Sequence, residues 1–311
     1  MATVTIDRLR RQGFSLVAEI FFFTLLSTLT LAVTGFNDAR ANESWPSNQS
    51  KNIAELPLKI ALLHLATEFA DIPHNVSLVE RAMRSAAAQG ANWVVTPELA
   101  LTGYRFDLKI GTGWITVGPD AHVQHLQKVA LELGVVLFLS HLEQPNANGP
   151  VYNTLFVIDS QGEIIGRHRK INTIAVSEAW STAGAGAKPV EVDGRKVGLL
   201  ICADAWPGEH AASLKQQGAE LLISSASWAP GKYGPGDTWE KRSLETGLPV
   251  LVANRTGVER EFDLTQSSSV VSINGERIAD HRSLHSSFLL MDWPVAKSLE
   301  SMASYLSYEL R

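Results

Sequence analysis

Three side chains in this sequence are of types that together could carry out nucleophilic chemistry, and each follows a run that reads as a buried strand. The single cysteine, Cys202, ends the apolar run Lys196-Val197-Gly198-Leu199-Leu200-Ile201 and precedes Ala203-Asp204-Ala205-Trp206-Pro207. A helix over 209–217, closed by Gly218, and a strand over 219–224 complete a βαβ unit with the thiol at its elbow. A thiol there can be exposed at the sheet edge, with the following helix N-terminus favouring its thiolate. The alternative for a lone cysteine after an apolar run is a small buried hydrophobe. Glu98 lies just past the strand Trp93-Val94-Val95-Thr96, at the carboxyl end where α/β sheets place reactive groups. Leu99, Ala100 and Leu101 beside it argue against a solvated loop acid and for a partner or a raised pKa. Lys170 closes a hairpin of strands 152–159 and 163–170 around Ser160-Gln161-Gly162. Strand alternation puts Lys170 on one face with His168, and Arg167 and Arg169 on the other. At least one cation of that cluster must then face inward, unless the whole face is solvated. Glu178, in a Gly/Ala/Ser-rich loop running to Gly186, reads alone as a surface residue.

The elements that must position these groups alternate between strand and helix. A first strand is expected over 58–65 and a helix over 75–89 ending at Gly90. A helix over 121–133 and a strand over 135–140 follow. Beyond the cysteine, Trp228-Ala229-Pro230-Gly231 reads as an aromatic-lined loop, 239–246 as a helix, and 249–254 as a strand ending in Asn254-Arg255. Asn274-Gly275 signals a hairpin of 268–273 and 276–280. A last strand is expected over 286–292, then an amphipathic tail over 296–311 that could pack on the domain or on a partner. The class is α/β, with the folded domain over 58–295.

The chain of 311 residues, 45% hydrophobic and 19% charged, has room for a sizeable core, and its net charge of -5 points away from a nucleic-acid partner. One cysteine excludes an intramolecular disulfide and a cysteine-rich metal site. There is no short-period repeat and no glycine-rich phosphate loop. Residues 1–41 differ from the rest: Arg8, Arg10 and Arg11 precede an apolar stretch over 20–33, and Ala39-Arg40-Ala41 suits signal peptidase. Arg10-Arg11-Gln12-Gly13-Phe14 hints at a twin-arginine route. The expectation is export to the periplasm or beyond by a cleaved signal; the alternative is a membrane anchor over about 16–36. Residues 42–57 read as a polar linker, whose Asn-x-Ser sequons matter only in a eukaryotic secretory pathway.

The segments Val94-Val95-Thr96-Pro97-Glu98-Leu99-Ala100-Leu101-Thr102-Gly103-Tyr104, Tyr152-Asn153-Thr154 through Gly166-Arg167-His168-Arg169-Lys170, Val197 to Asp204, and Asn254-Arg255-Thr256-Gly257 stand in order along the chain. Together they resemble the carbon–nitrogen hydrolase (nitrilase) superfamily. The resemblance implies a four-layer α-β-β-α sandwich, usually a homodimer, with no metal or organic cofactor. It implies Cys202 as nucleophile, Glu98 as general base, and Lys170 with the backbone N–H of Ala203 as oxyanion donors. Glu178 would be a second glutamate orienting the centre, and Tyr104, Trp206 and Trp228 would be pocket walls. The implied activity is hydrolysis of a small amide or ureide. A nitrilase or an N-acyltransferase would use the same groups, and a catalytically silent secreted scaffold would keep only the fold. Two departures bear on specificity. Ala203 stands where many relatives carry an aromatic or charged residue, and Ala203-Asp204-Ala205-Trp206 is similar to amidase-like branches. Gln266-Ser267-Ser268 replaces the usual Gly-x-Ser.

Overall fold

The first strand, β1 (Leu58–His64), is apolar on both faces and buried along its length except at Lys59, so it has to lie between two other layers. The computed structural model describes residues 58–293 and 305–310; the expected signal over 1–41, the linker over 42–57 and residues 294–304 of the tail region lie outside the described residues. After β1 come α1 (Ile72–Ala88), β2 (Trp93–Val95), α2 (Asp107–Ile110), α3 (Ala121–Leu133), β3 (Val136–Glu143), β4 (Tyr152–Ile158) and β5 (Ile164–Arg169). Then follow β6 (Val190–Val192), β7 (Arg195–Ile201), a 3-10 turn (Cys202–Ala205), α4 (Gly208–Gln216), β8 (Leu221–Ala226) and α5 (Thr238–Thr246). The chain continues through β9 (Val250–Asn254), β10 (Val258–Glu259), β11 (Phe262–Asp263), β12 (Ser269–Ile273), β13 (Glu276–His281), β14 (Ser287–Trp293) and β15 (Tyr305–Glu309).

Most of the strands make two mixed sheets, ordered β15-β14-β1-β2-β3-β4-β5 and β13-β12-β9-β8-β7-β6, while β10 and β11 pair as a separate antiparallel ribbon. In each, three central strands run parallel: β1, β2 and β3 in the first, β7, β8 and β9 in the second. Alternation sorts the side chains into layers. Ala61, Leu63, Val94 and Leu137 meet Leu78, Val79, Ala82 and Met83 of α1 and Leu126 and Val129 of α3. Ile60, Leu62, Trp93, Val95 and Phe138 join a second cluster with Leu199, Ile223, Leu251 and Val271 of the other sheet. Ala211, Leu214 and Trp239 of α4 and α5 complete that cluster from outside. The order of layers is therefore helix, sheet, sheet, helix, the expected four-layer sandwich. Each large apolar side chain moved out of water contributes about 1.5–3 kcal/mol, and the parallel central strands are buried almost throughout. Gly198 is required there: a Cβ would stand 2.6 Å from Leu222 Cδ2 and 3.1 Å from Leu214 Cδ1.

Some boundaries differ from expectation for local reasons. Helix α1 starts at Ile72, not 75, because the Asp71 carboxylate accepts the His74 N–H and Pro73 sits in the first turn, where its missing N–H costs nothing. Strand β8 spans Leu221–Ala226, two residues later than expected, in parallel register with β7. The described part of the tail is a strand: β15 pairs antiparallel with β14, Ser287 opposite Glu309, and Tyr308 stacks on Phe288 at 4.9 Å. No described helix is long and apolar enough to cross a membrane.

Candidate active site

Glu98 leaves β2 through Thr96 and Pro97 and enters a turn in which Leu99 takes a left-handed backbone (φ 49°), held by its N–H to Ser140 Oγ at 3.0 Å. The turn drives the Glu98 carboxylate inward, where it is fully buried. Its Oε1 accepts from Lys170 Nζ at 2.7 Å and Asn153 Nδ2 at 2.9 Å, and its Oε2 from the Ser227 N–H at 3.0 Å. Lys170 follows β5 and is equally buried. As alternation requires, it faces inward with His168, while Arg167 and Arg169 turn to Glu143 on the other face. Glu178, the apparent surface residue, is buried too: Oε2 accepts from Lys170 Nζ at 2.6 Å and the Ile174 N–H at 3.0 Å, and Oε1 from Asn153 Nδ2 at 2.9 Å. Lys170 and Asn153 thus each bridge the same two carboxylates.

Cys202 stands directly after β7 with a left-handed backbone, φ 49°, a strained elbow for a residue with a Cβ and costing on the order of 1–3 kcal/mol. Asp204 holds it, accepting the Ile201 N–H at 3.1 Å from below. The thiol is buried, not exposed at a sheet edge, since β6 and β8 flank β7. Nor does the expected α-helix begin at the cysteine. The 3-10 turn intervenes and α4 begins only at Gly208. The expected thiolate stabilisation is therefore replaced by the reverse. Burial and the Glu98 carboxylate push the thiol well above its usual range, against the pull of Lys170 and the Ser227 N–H. Burial likewise pushes the Glu98 carboxyl up, Lys170 opposing and Glu178 adding to the rise. For Lys170 burial favours the neutral amine, but Glu98, Cys202 and Glu178 outweigh it and hold the ammonium well above its ordinary range.

The other expected residues fall around this centre. Tyr104, pushed up by burial, presents its ring 5.7 Å from Lys170 Nζ and meets Ser177 Oγ through its hydroxyl at 2.9 Å. Trp228 immediately follows Ser227. Its backbone is clasped by the Asn254 side chain, which accepts the Trp228 N–H and donates to the Trp228 carbonyl, both at 3.0 Å. Trp206, 49% exposed, tilts against Trp228 at 5.7 Å between ring centroids. The Ala203 residue lies in the 3-10 turn beside the sulfur.

Several supporting residues escaped sequence reasoning. Asn153 sits on β4, the first strand of the second matching segment, but nothing local marks its amide as a bridge. Glu259 accepts the N–H groups of Tyr104 at 3.0 Å and Arg105 at 2.5 Å and pairs with Arg255, which also donates to the Thr67 carbonyl at 3.0 Å. The late Asn254-Arg255 pair therefore secures both the Trp228 loop and the loop after Glu98. Gly103 makes that possible: at φ 78° a Cβ would lie 2.7 Å from Glu259 Oε2. Among the described residues no group of three or more His, Cys, Asp or Glu could hold a metal ion; the ammonium of Lys170 fills the place between the two carboxylates.

Chemically, a neutral thiol shares a buried centre with a carboxyl of raised pKa and a fixed cation. A base is most effective when its pKa approaches the working pH. An ammonium has three N–H donors, and Lys170 spends two on Glu98 and Glu178.

The family model described as carbon-nitrogen hydrolase matches residues 59–287. The chain is 30% identical over 235 residues to N-carbamoylputrescine amidase of Arabidopsis thaliana, spanning 68% of this chain and 78% of that protein. It is 28% identical to a nitrilase of Pyrococcus abyssi, over 70% of this chain and 83% of that one. Among solved structures, a mutant amidase from Nesterenkonia sp. AN1 superposes with a TM-score of 0.68 at 25% identity, covering 79% of this chain and 94% of that one. In that amidase the acetamide moiety of fluoroacetamide is covalently added at the active site cysteine.

Proposed function

The chain belongs to the carbon–nitrogen hydrolase family, whose members act on carbon–nitrogen bonds other than peptide bonds, and from that premise we propose that it cleaves a small amide through a thioester on Cys202. In this cycle the sulfur attacks the amide carbonyl carbon while Glu98 accepts the thiol proton. The carbonyl oxygen becomes an oxyanion between the third N–H of Lys170 and the backbone N–H of Ala203. The carbon–nitrogen bond breaks as Glu98 returns its proton to the leaving nitrogen, releasing ammonia or an amine. Water then adds to the thioester, Glu98 taking its proton. Collapse of that second tetrahedral species expels the sulfur, which is reprotonated by Glu98 as the carboxylic acid departs. Glu178 exchanges no proton; with Glu98 it keeps Lys170 charged and aimed. Tyr104, Trp206 and Trp228 serve as walls for the substrate.

One observation carries the reading: Lys170 Nζ is held at 2.7 Å from Glu98 and 2.6 Å from Glu178, all three fully out of water and electrostatically coupled to the Cys202 thiol. Replacing such a buried charged cluster whole by well-packed apolar residues is often neutral or stabilising, so a scaffold without catalysis gains little by keeping it. The amide is preferred to the nitrile because Ala203-Asp204-Ala205-Trp206 follows the cysteine and because the structural relative is an amidase. The test is ammonia release from a panel of small amides, ureides and nitriles. Turnover of an amide that vanishes in Cys202→Ala supports the reading. A wild-type protein silent across the panel, or a Cys202→Ala variant that still turns over, overturns it.

A further inference from the structure

Asp204 and His168 are buried, bonded to each other at 2.8 Å, and unused by the cycle above. Their connections are of unusual reach. Asp204 Oδ1 accepts the N–H of Ile171 at 2.9 Å and of Asn172 at 2.7 Å, the two residues after Lys170. Its Oδ2 accepts the N–H of Ile201 at 3.1 Å, just before Cys202, and the Nε2–H of His168, two residues before Lys170. Asn172 adds a bond from Nδ2 to the Ala203 carbonyl at 3.1 Å. One carboxylate therefore ties the chain on both sides of Lys170 to the chain on both sides of the nucleophile. Burial opposes ionisation of Asp204, but the His168 bond and the backbone N–H groups outweigh it and lower its pKa.

The layers make this consequential. Lys170 hangs from β5 of the first sheet, whereas Ala203 follows β7 of the second. The two groups that would hold one oxyanion thus come from different sheets, and side-chain packing alone leaves a sheet-to-sheet contact free to shift. The base and the nucleophile also come from different sheets, but they are fastened separately. Ser227, after β8, donates its N–H to Glu98 Oε2 and its hydroxyl to the Glu98 carbonyl, both at 3.0 Å. We propose that Asp204 and His168 are positioning residues whose cross-sheet link sets the Lys170 ammonium against the Ala203 N–H, in addition to the Ser227 link that joins Glu98, and through it Lys170 Nζ, to the cysteine side. This rests on the oxyanion role given to Lys170 and Ala203 above.

The two links can be separated by reaction type. Alkylation of Cys202 by iodoacetamide needs the thiol proton removed but forms no tetrahedral oxyanion. Amide hydrolysis needs both. A displacement of about 1 Å in such a site can cost about 10²-fold in rate. In Asp204→Asn, kcat for the best amide should fall about 10²-fold with KM little changed, while the alkylation rate constant stays close to wild type. His168→Leu should follow it, and His168→Gln, which keeps a donor for Asp204, should recover most of the loss. Where Asp204→Asn fails to fold, Asn172→Ala removes only the bond to the Ala203 carbonyl and should lower kcat with alkylation unchanged. Hydrolysis and alkylation falling together, or neither falling, overturns the inference. Cys202→Ala run alongside separates the cases: if it still hydrolyses amide, the oxyanion reading itself has failed.

Discussion

In the proposed cycle Glu98 acts as both acid and base, and its surroundings set how well it does either. Burial, with Glu178 adding, raises its pKa and Lys170 limits the rise. The free enzyme needs it ionised, so kcat/KM should drop as pH falls through a value above the usual 4.5 for glutamate, and the acid limb should vanish in the residual activity of Glu98→Gln. That variant keeps the shape and should lose about 10²–10⁴-fold in acylation, measured in a single turnover, with substrate binding retained. The thiol gives a second pH signature. Its folded pKa lies well above the ordinary 9.0, so the neutral thiol stabilises the fold fully below pH 9, and that contribution is lost as pH rises toward the folded value. Denaturant melts should therefore show Cys202→Ala gaining on wild type above pH 9. A constant difference between the two across that range would contradict the burial described. At this scale the sequence was informative where periodicity speaks. Alternation put Lys170 and His168 on one face and required an inward cation, and apolar neighbours argued Glu98 out of water. Glu178, Asn153 and Asp204 were silent because their partners lie on other strands, and a lone polar residue in a loop carries no mark of its burial.

At the scale of elements, the site depends on turns that hold unfavourable backbone. Cys202 and Leu99 are both left-handed; the first turn is fastened from within by Asp204, which accepts the Ile201 N–H, and the second by Ser140 of β3. Gly103 is the sharpest case, with φ 78° and Glu259 directly against it. Gly103→Ala should destabilise by about 1–3 kcal/mol, and because Glu259 orders the Tyr104 and Arg105 N–H groups, it should also raise KM. Calorimetry with steady-state kinetics reads both; an unchanged melting temperature would remove Glu259 from the role given to it. The strands and long helices were legible from hydrophobic pattern, including the hairpins around Gly162 and Gly275. What was not legible has a common cause. Strands β6, β10 and β11 and helix α2 are two to four residues long and are specified by their partners. The pairing of β15 with β14 likewise depends on a strand edge that the tail sequence cannot announce.

On the scale of the whole molecule, the proposed chemistry is divided between two sheets, Glu98, Lys170 and Glu178 with the first and Cys202 and Ala203 with the second. The α/β class followed from the alternation of strands and helices and the four-layer fold from the resemblance, whereas the polar links between layers could not be read from either. We propose that the protein is exported and assembles as a homodimer. The arginines, apolar stretch and Ala39-Arg40-Ala41 motivate the first. N-terminal sequencing from the native host should find Asn42, and an intact Met1 would contradict cleavage; sedimentation of the purified protein reads the second. The central claim is an acyl-enzyme on Cys202, and rapid acid quench of turnover followed by mass spectrometry of the Cys202 peptide tests it most directly. With the best amide from the panel, that peptide should carry the mass of the substrate acyl group, appearing before the carboxylic acid product and absent in Cys202→Ala. An unmodified Cys202 peptide during steady turnover, with the acyl group on another residue or on none, would contradict it.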